Sequence, residues 1–330
     1  MQRLQQLQCW LQGQFPAQEF SLTPASADAS FRRYFRFGLP DCTLIAMDAP
    51  PQQENCQPFM HVAELFAAAG VNVPRVVAQD LAQGFLLLTD LGDATYLSAL
   101  NDKSAGPLYR DAVGALIKIQ LASRPDELPE YDASLLMREM NLFPEWYVGR
   151  HIGTTLTDAQ QATLQQTFDV LVANIRAQGR VYVHRDYHSR NLMICDDNPG
   201  ILDFQDAVYG AITYDLVSLL RDAYICWEEE QVLDWAVRYW EKAEKAGLPV
   251  PHDISGFYRD FEWMGAQRHL KVLGIFARLY HRDGKEGYLK DLPLVMDYLR
   301  RVCERYVELR PLLRLLDDLE KRQPQVGYTF

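Results

Sequence analysis

Three side chains within residues 181–203, VYVHRDYHSRNLMICDDNPGILD, could do chemistry together: Asp186, Asn191 and Asp203. Two carboxylates and an amide oxygen are hard oxygen donors, the kind that suits Mg²⁺ and a phosphate-bearing substrate. A carboxylate can also orient a hydroxyl and accept its proton. The segment must position them. Its pattern reads strand (181–183), polar loop, strand (192–195), turn and strand (200–202), with Asp196-Asp197-Asn198-Pro199-Gly200 as the turn signal. A hairpin of this kind can bring Asp203 beside the loop that carries the other two.

The spacing is that of a kinase catalytic loop. His184-Arg185-Asp186 followed by Asn191 satisfies H-R-D-x-x-x-x-N, and Asp203-Phe204-Gln205 stands where kinases carry D-F-G. Asp186 is then the base, and Asn191 and Asp203 hold the metal that offsets charge on the transferred phosphoryl group.

The 330 residues suggest about two domains, and 48% hydrophobic with 23% charged residues is an ordinary globular balance. A net charge of −11 argues against nucleic acid or an anionic membrane as partner. It does not exclude ATP, because Mg²⁺ and local dipoles can offset a global excess. The six cysteines (9, 42, 56, 195, 226 and 303) form no C-x-x-C, so reduced thiols in a cytoplasmic protein are expected. Residues 1–13 have no apolar core, so no signal peptide is expected, and no apolar run is long enough to span a membrane. A monomer is expected.

Residues 1–91 should form a nucleotide-binding lobe with a five-stranded antiparallel sheet, its strands at 20–22, 31–37, 43–47, 75–79 and 85–89. Leu4, Leu7 and Leu11 give a preceding helix one apolar face. Between the first two strands lies a loop of small and polar residues that can fold over a nucleotide's phosphates. The ATP-binding candidates there are Ser26, Ala27, Asp28, Ala29, Ser30, Phe31, Arg32 and Arg33. Met47 stands where a kinase strand carries its phosphate-binding lysine, which leaves Arg32, Arg33 or Arg36 to supply a cation. The backbone of Asp90 and Leu91, after the fifth strand, can meet adenine.

Residues 92–330 should form a helical catalytic and substrate lobe, so the fold class is α+β, a bilobal protein-kinase-like fold. Helices are expected at 108–121, 133–147, 158–178, 214–224, 228–246, 254–281 and 292–316. Thr157 and Gln160 fit a capping box, Gly179 a C-terminal stop, and Asp283 or Asp291 further caps. Asp215, at the start of one helix, can cap it or support the catalytic loop by accepting backbone hydrogen bonds.

The catalytic segment resembles the aminoglycoside phosphotransferase-like branch of the kinase fold. Asp28–Arg36 (DASFRRYFR), Met47–Pro51 (MDAPP), His184–Met193 (HRDYHSRNLM) and Ile201–Tyr224 (ILDFQDAVYGAITYDLVSLLRDAY) resemble, more closely, the anomeric N-acetylmuramate/N-acetylglucosamine kinases of cell-wall recycling. Those sugar kinases share the replaced lysine. The resemblance implies ATP, Mg²⁺ and the C1 hydroxyl of an N-acetylated amino sugar as acceptor. It assigns Asp186 as base, Asn191 and Asp203 to metal, and 26–33 to the phosphate loop. For the acceptor, His188, Arg221, Asp222, Trp263 and Arg268 are the candidates. Aromatic rings suit a sugar, and Arg221, Arg268 or Lys271 suits a lactyl carboxylate. The acids Asp222, 228–230 and Glu262 keep a polycationic aminoglycoside open. An amino alcohol kinase and a nucleotide-sensing pseudokinase are the other readings.

Overall fold

β-Branched and aromatic runs between turn residues give the five strands β1 (Ser21–Ser26), β2 (Arg33–Gly38), β3 (Thr43–Asp48), β4 (Val76–Asp80) and β5 (Phe85–Thr89). The computed structural model describes residues 2–26, 31–40 and 42–321. The sheet is antiparallel in the order β1-β2-β3-β5-β4, with Ala46 opposite both Phe35 and Leu87. Helix α1 (Gln2–Gln14) buries Leu7 and Leu11 against Phe37, Ala46, Phe85 and Leu87. The small-residue loop starts later than expected, because β1 runs on through Pro24 to Ser26 around a register shift.

Helix α2 (Cys56–Ala68) starts where Asn55 accepts the Gln57 N–H at 2.9 Å, and buries Phe59, Val62, Ala63 and Phe66. Phe59 and Phe66 pack on Phe204 with centroids 5.0 and 5.9 Å apart. Phe204 is fully buried, and that fixes its neighbour Asp203. Helices α3 (Tyr96–Ala99) and α4 (Ala105–Leu121) follow. These elements form one unit, Met1–Ile119, which Arg190–Asp206 joins as a returning segment.

The second unit comprises Gln120–Ser189 and Ala207–Phe330. It holds α5 (Ala133–Met140), a π-helix (Phe143–Ile152) and α6 (Asp158–Ala177). The helix expected over 133–147 therefore changes type, and Pro144, with no N–H to donate, sits in the first turn of the π-helix. The capping box of Thr157 and Gln160 is present. Gly179 closes α6 for another reason than expected. It is not left-handed, and a Cβ there would lie 2.1 Å from the Pro249 carbonyl oxygen.

Strand β6 (Arg180–Val183) leads into the candidate loop. In the first unit β7 (Leu192–Met193) and β8 (Gly200–Ile201) pair as the expected hairpin. The sequence pattern missed β9 (Val208–Ala211), which pairs with β6. Helix α7 (Tyr214–Leu220) stops short of 224, because Asp222 accepts the Tyr224 N–H at 3.0 Å and competes with the helix. Then come α8 (Glu229–Lys245), α9 (Ile254–Asp283), α10 (Leu292–Arg305) and α11 (Arg310–Glu320). The run expected as one helix from 292 to 316 breaks at extended Tyr306, ahead of Pro311 in the first turn of α11. Asp253 and Asp132 cap α9 and α5 by side chain. Neither Asp283 nor Asp291 is a cap of that kind; Asp283 pairs with Arg282.

Helix α9 is the axis of the second unit, with every residue from Phe261 to Leu273 buried. Gly274 permits its close approach to the chain before the π-helix: a Cβ would lie 2.4 Å from the Leu142 carbonyl carbon. Gly274→Ala should cost about 1–3 kcal/mol by overpacking. Urea unfolding would show it as a lower midpoint with an unchanged slope.

Candidate active site

Residues 184–189 hang from the two ends of α7. Asp215, in its first turn, accepts the His184 N–H at 2.6 Å and the Arg185 N–H at 3.0 Å. Asp222, just past its end, accepts the Ser189 N–H at 3.0 Å and the Ser189 hydroxyl. Arg185 takes φ +76°, a left-handed turn that redirects the chain before Asp186. Asp215 thus accepts backbone hydrogen bonds from residues 184 and 185, as the sequence reading allowed. Burial pushes its carboxyl up to about 7, against the pull of the two N–H groups.

A buried ionic cluster surrounds Asp186. Glu139 on α5 receives Arg185, the Tyr131 hydroxyl and, at 3.1 Å, the Lys271 ammonium. Lys271 also donates to the Tyr214 hydroxyl at 2.9 Å. Burial alone would raise the Asp186 carboxyl, but Lys271, His188, Arg268 and Arg185 hold it at about 2. Asp186 is thus a stable anion at neutral pH. Glu139 stays below the usual range despite burial, held there by Lys271 and Arg185. Glu139→Ala leaves both cations without their carboxylate and should cost about 3–5 kcal/mol, read by urea unfolding.

The first unit brings Asn191 and Asp203 together. The Asn191 amide lies 3.4 Å from Asp203 Oδ2, and Gln205 Nε2 donates to Oδ1 at 2.8 Å. The Leu202 N–H bonds to the Asn191 carbonyl at 2.9 Å and ties the strand ends. Among the described residues no cluster of three or more His, Cys, Asp or Glu could hold a metal. One carboxylate and one amide oxygen nevertheless fit Mg²⁺, which keeps waters and takes its other ligands from phosphates.

The nucleotide candidates divide. Ala27, Asp28, Ala29 and Ser30 lie outside the described residues, and Ser26 ends β1. Phe31 is exposed, with its N–H on Glu54 at 3.2 Å. Arg32 pairs with Glu54 at 2.9 Å, Arg33 with the buried Asp48, and Arg36 with Asp90 at 2.6 Å. Each candidate cation thus already has a carboxylate, while Met47 is fully buried. Burial would raise the Asp90 carboxyl, but hydrogen bonds from Arg36, Thr43 and Gly92 hold it below its ordinary value. The Leu91 carbonyl accepts the Cys195 thiol at 3.2 Å.

The acceptor candidates are also engaged. Arg221 donates to Glu262 at 2.9 Å, and Asp222 holds Ser189. Trp263 is buried, edge-on to Tyr306 at 5.8 Å. Arg268 is buried and donates to the Ser218 hydroxyl at 2.7 Å. The His188 ring lies edge-on to Tyr224 at 5.4 Å. Sequence reasoning missed Glu139, although an acid on the apolar face of a short helix (ASLLMREM) is a signal of a buried pair. All six cysteines are free thiols.

Residues 21–254 match the model of the phosphotransferase enzyme family. The chain belongs to this family. It is 52% identical over the full length of both chains to an N-acetylmuramate/N-acetylglucosamine kinase of Neisseria meningitidis. A protein of the same name from Pseudomonas putida is 50% identical, over 96% of this chain and 97% of that one. Among solved structures, choline kinase LicA from Streptococcus pneumoniae matches with a TM-score of 0.63 at 12% identity, over 89% of this chain and 99% of that one. The ADP-bound aminoglycoside phosphotransferase APH(2'')-Ib matches at 0.57 and 15%, over 89% and 97%. These two likenesses carry the bilobal α+β kinase-like fold. Family and relatives together make this phosphotransferase a kinase. No helix among the described residues is long and apolar enough to cross a membrane.

Proposed function

We propose that this kinase transfers the γ-phosphoryl group of ATP to the anomeric C1 hydroxyl of N-acetylmuramate and N-acetylglucosamine. The product is the sugar 1-phosphate, and the step belongs to peptidoglycan recycling in the cytoplasm. The observation that carries the acceptor class is the 52% identity, end to end, with a relative named for those two sugars. The paired Asn191 and Asp203 and the loop-held Asp186 support the chemistry.

On this reading residues 1–91 bind the nucleotide and residues 92–330 carry the base and the acceptor. The enzyme acts as a monomer on a small molecule, with no nucleic acid or membrane partner. Asp186 orients the C1 hydroxyl and accepts its proton as the C1 oxygen bonds to the γ-phosphorus. The bond from that phosphorus to the bridging oxygen breaks, and ADP leaves. Asn191 and Asp203 would hold Mg²⁺, which supplies charge neutralisation on the phosphates.

The test is Mg²⁺-dependent ATP consumption with N-acetylmuramate, N-acetylglucosamine, glucose, choline and kanamycin, the product read by phosphorus NMR. A sugar 1-phosphate from the two N-acetylated sugars is expected. Turnover confined to choline or kanamycin would overturn the acceptor; a 6-phosphate would overturn the attacking hydroxyl.

A further inference from the structure

Asp222 is a buried carboxylate, 1% exposed, and no ion pair with it is seen among the described residues. A buried charge needs compensation. Here three N–H and O–H donors of two residues supply it. Oδ2 accepts the Ser189 N–H at 3.0 Å together with the Ser189 hydroxyl, and Oδ1 accepts the Tyr224 N–H at 3.0 Å. Bonds to an ionised acceptor are shorter and about twice as strong as neutral ones. Both oxygens are thus committed within the protein, which is a poor arrangement for meeting a sugar or an aminoglycoside.

The place of these bonds in the chain gives them a use. Asp215 and Asp222 are seven residues apart, one in the first turn of α7 and one just past its end. Asp215 takes the backbone at His184 and Arg185, and Asp222 takes it at Ser189. Asp186 lies between the two anchors. Ser189 is also the last residue before the chain enters the first unit at Arg190, two positions ahead of Asn191. The same carboxylate holds the backbone of Tyr224, whose ring packs on His188.

We propose that Asp222 is a positioning residue of the kinase reaction: its carboxylate fixes the far end of the base-bearing loop at Ser189, as Asp215 fixes the near end. A one-ended loop would let the Asp186 carboxylate wander, and misplacement by about 1 Å can cost about 100-fold in rate. The role rests on the kinase reading above, but the hydrogen bonds can be tested without it.

The experiment compares wild type with Asp222→Asn, Asp222→Ala, Ser189→Ala and the double alanine variant. It measures kcat, acceptor KM, melting temperature and amide hydrogen exchange. For the Asp222 variants kcat should fall about 10–100-fold, with acceptor KM within about twofold of wild type. Ser189→Ala removes only the hydroxyl bond and should lose about 2–10-fold, the worth of one hydrogen bond. The double variant should be no slower than Asp222→Ala, because both changes break one contact. Exchange at the Ser189 and Tyr224 amides should quicken in the Asp222 variants, while His184 and Arg185 stay protected by Asp215.

A tenfold rise in acceptor KM with kcat retained would overturn the proposal and make Asp222 an acceptor ligand. A lower melting temperature with kcat unchanged at low temperature would overturn it in favour of a purely structural role. Should the Asp222 variants fail to fold, Ser189→Ala decides: unchanged kcat overturns the proposal. If wild type itself turns over none of the panel, the kinase reading fails instead, and the exchange data still test the two-ended anchor.

Discussion

Asp186→Asn should lower kcat by about 10²–10⁴-fold, the usual worth of a positioned general base, while Mg–ATP still binds. Asparagine is nearly isosteric, and its Oδ1 can still accept a hydrogen bond from the acceptor hydroxyl. It cannot take the proton. The size of the loss therefore separates orientation, which survives in part, from proton acceptance, which does not. The surrounding charges bear on how Asp186 works. Lys271, His188, Arg268 and Arg185 hold its carboxyl at about 2 although burial opposes them. So depressed a group is a weak base towards a ground-state hydroxyl. On the proposed reading it suits a loose transition state, in which the hydroxyl turns acidic only as its bond to phosphorus forms.

Two pH consequences follow from that depressed value. Asp186 is already ionised at neutral pH, so it gives kcat no acid limb above about pH 4. Its folded pKa is below the unfolded one, so the stability it contributes is present above about pH 4 and is lost as pH falls towards about 2. Replacing it removes an anion from among several cations, and Asp186→Asn should also melt lower at neutral pH. Activity is therefore measured well below that transition. Full phosphoryl transfer by a folded Asp186→Asn would end its assignment as the base.

What could be read from the chain, and what could not, follows from the range of the interactions. The five strands and the Thr157 capping box depend on neighbours in sequence, and both were legible. So was the hairpin that brings Asn191 beside Asp203. The partner of β6 was not, because VYGA at β9 is too short to show periodicity and takes its meaning from a strand about 25 residues away. The close approach of α9 to Leu142, beside the break between α5 and the π-helix, needs Gly274, a contact across more than a hundred residues. The arginines on and just before β2 show the same limit. Arg32, Arg33 and Arg36 look like cations in search of a phosphate until Glu54, Asp48 and Asp90 are seen beside them. Asp222 differs again: its acidity suggested a ligand for a polycation, and only its three donors reveal an internal tie.

Asp203→Asn is expected to weaken Mg–nucleotide binding by at least about tenfold and to lower kcat by about 10²–10³-fold, the scale for losing one electrostatic stabiliser of the transition state. The carboxylate is well placed for that effect. Gln205 holds Oδ1 at 2.8 Å, Asn191 lies 3.4 Å from Oδ2, and the next residue, Phe204, is locked between Phe59 and Phe66. The Asn191 amide now faces Asp203 through its nitrogen; on the proposed reading it turns to offer Oδ1 to the metal. The backbone adds a second, independent sign of use. Asp203 has φ +62°, a left-handed conformation that glycine adopts without penalty and other residues at a cost of about 1–2 kcal/mol. Aspartate is among the more tolerant residues there, yet a fold selected for stability alone would place glycine. Asp203→Gly should therefore melt close to wild type, relief of the backbone offsetting the lost Gln205 and Asn191 contacts, and should still lose turnover. Titration of a fluorescent nucleotide with and without Mg²⁺ separates the two effects. Mg²⁺ should tighten nucleotide binding in wild type and do so weakly in both Asp203 variants. Equal tightening in all three proteins would remove Asp203 from the metal site and leave its left-handed backbone as a feature of the turn alone.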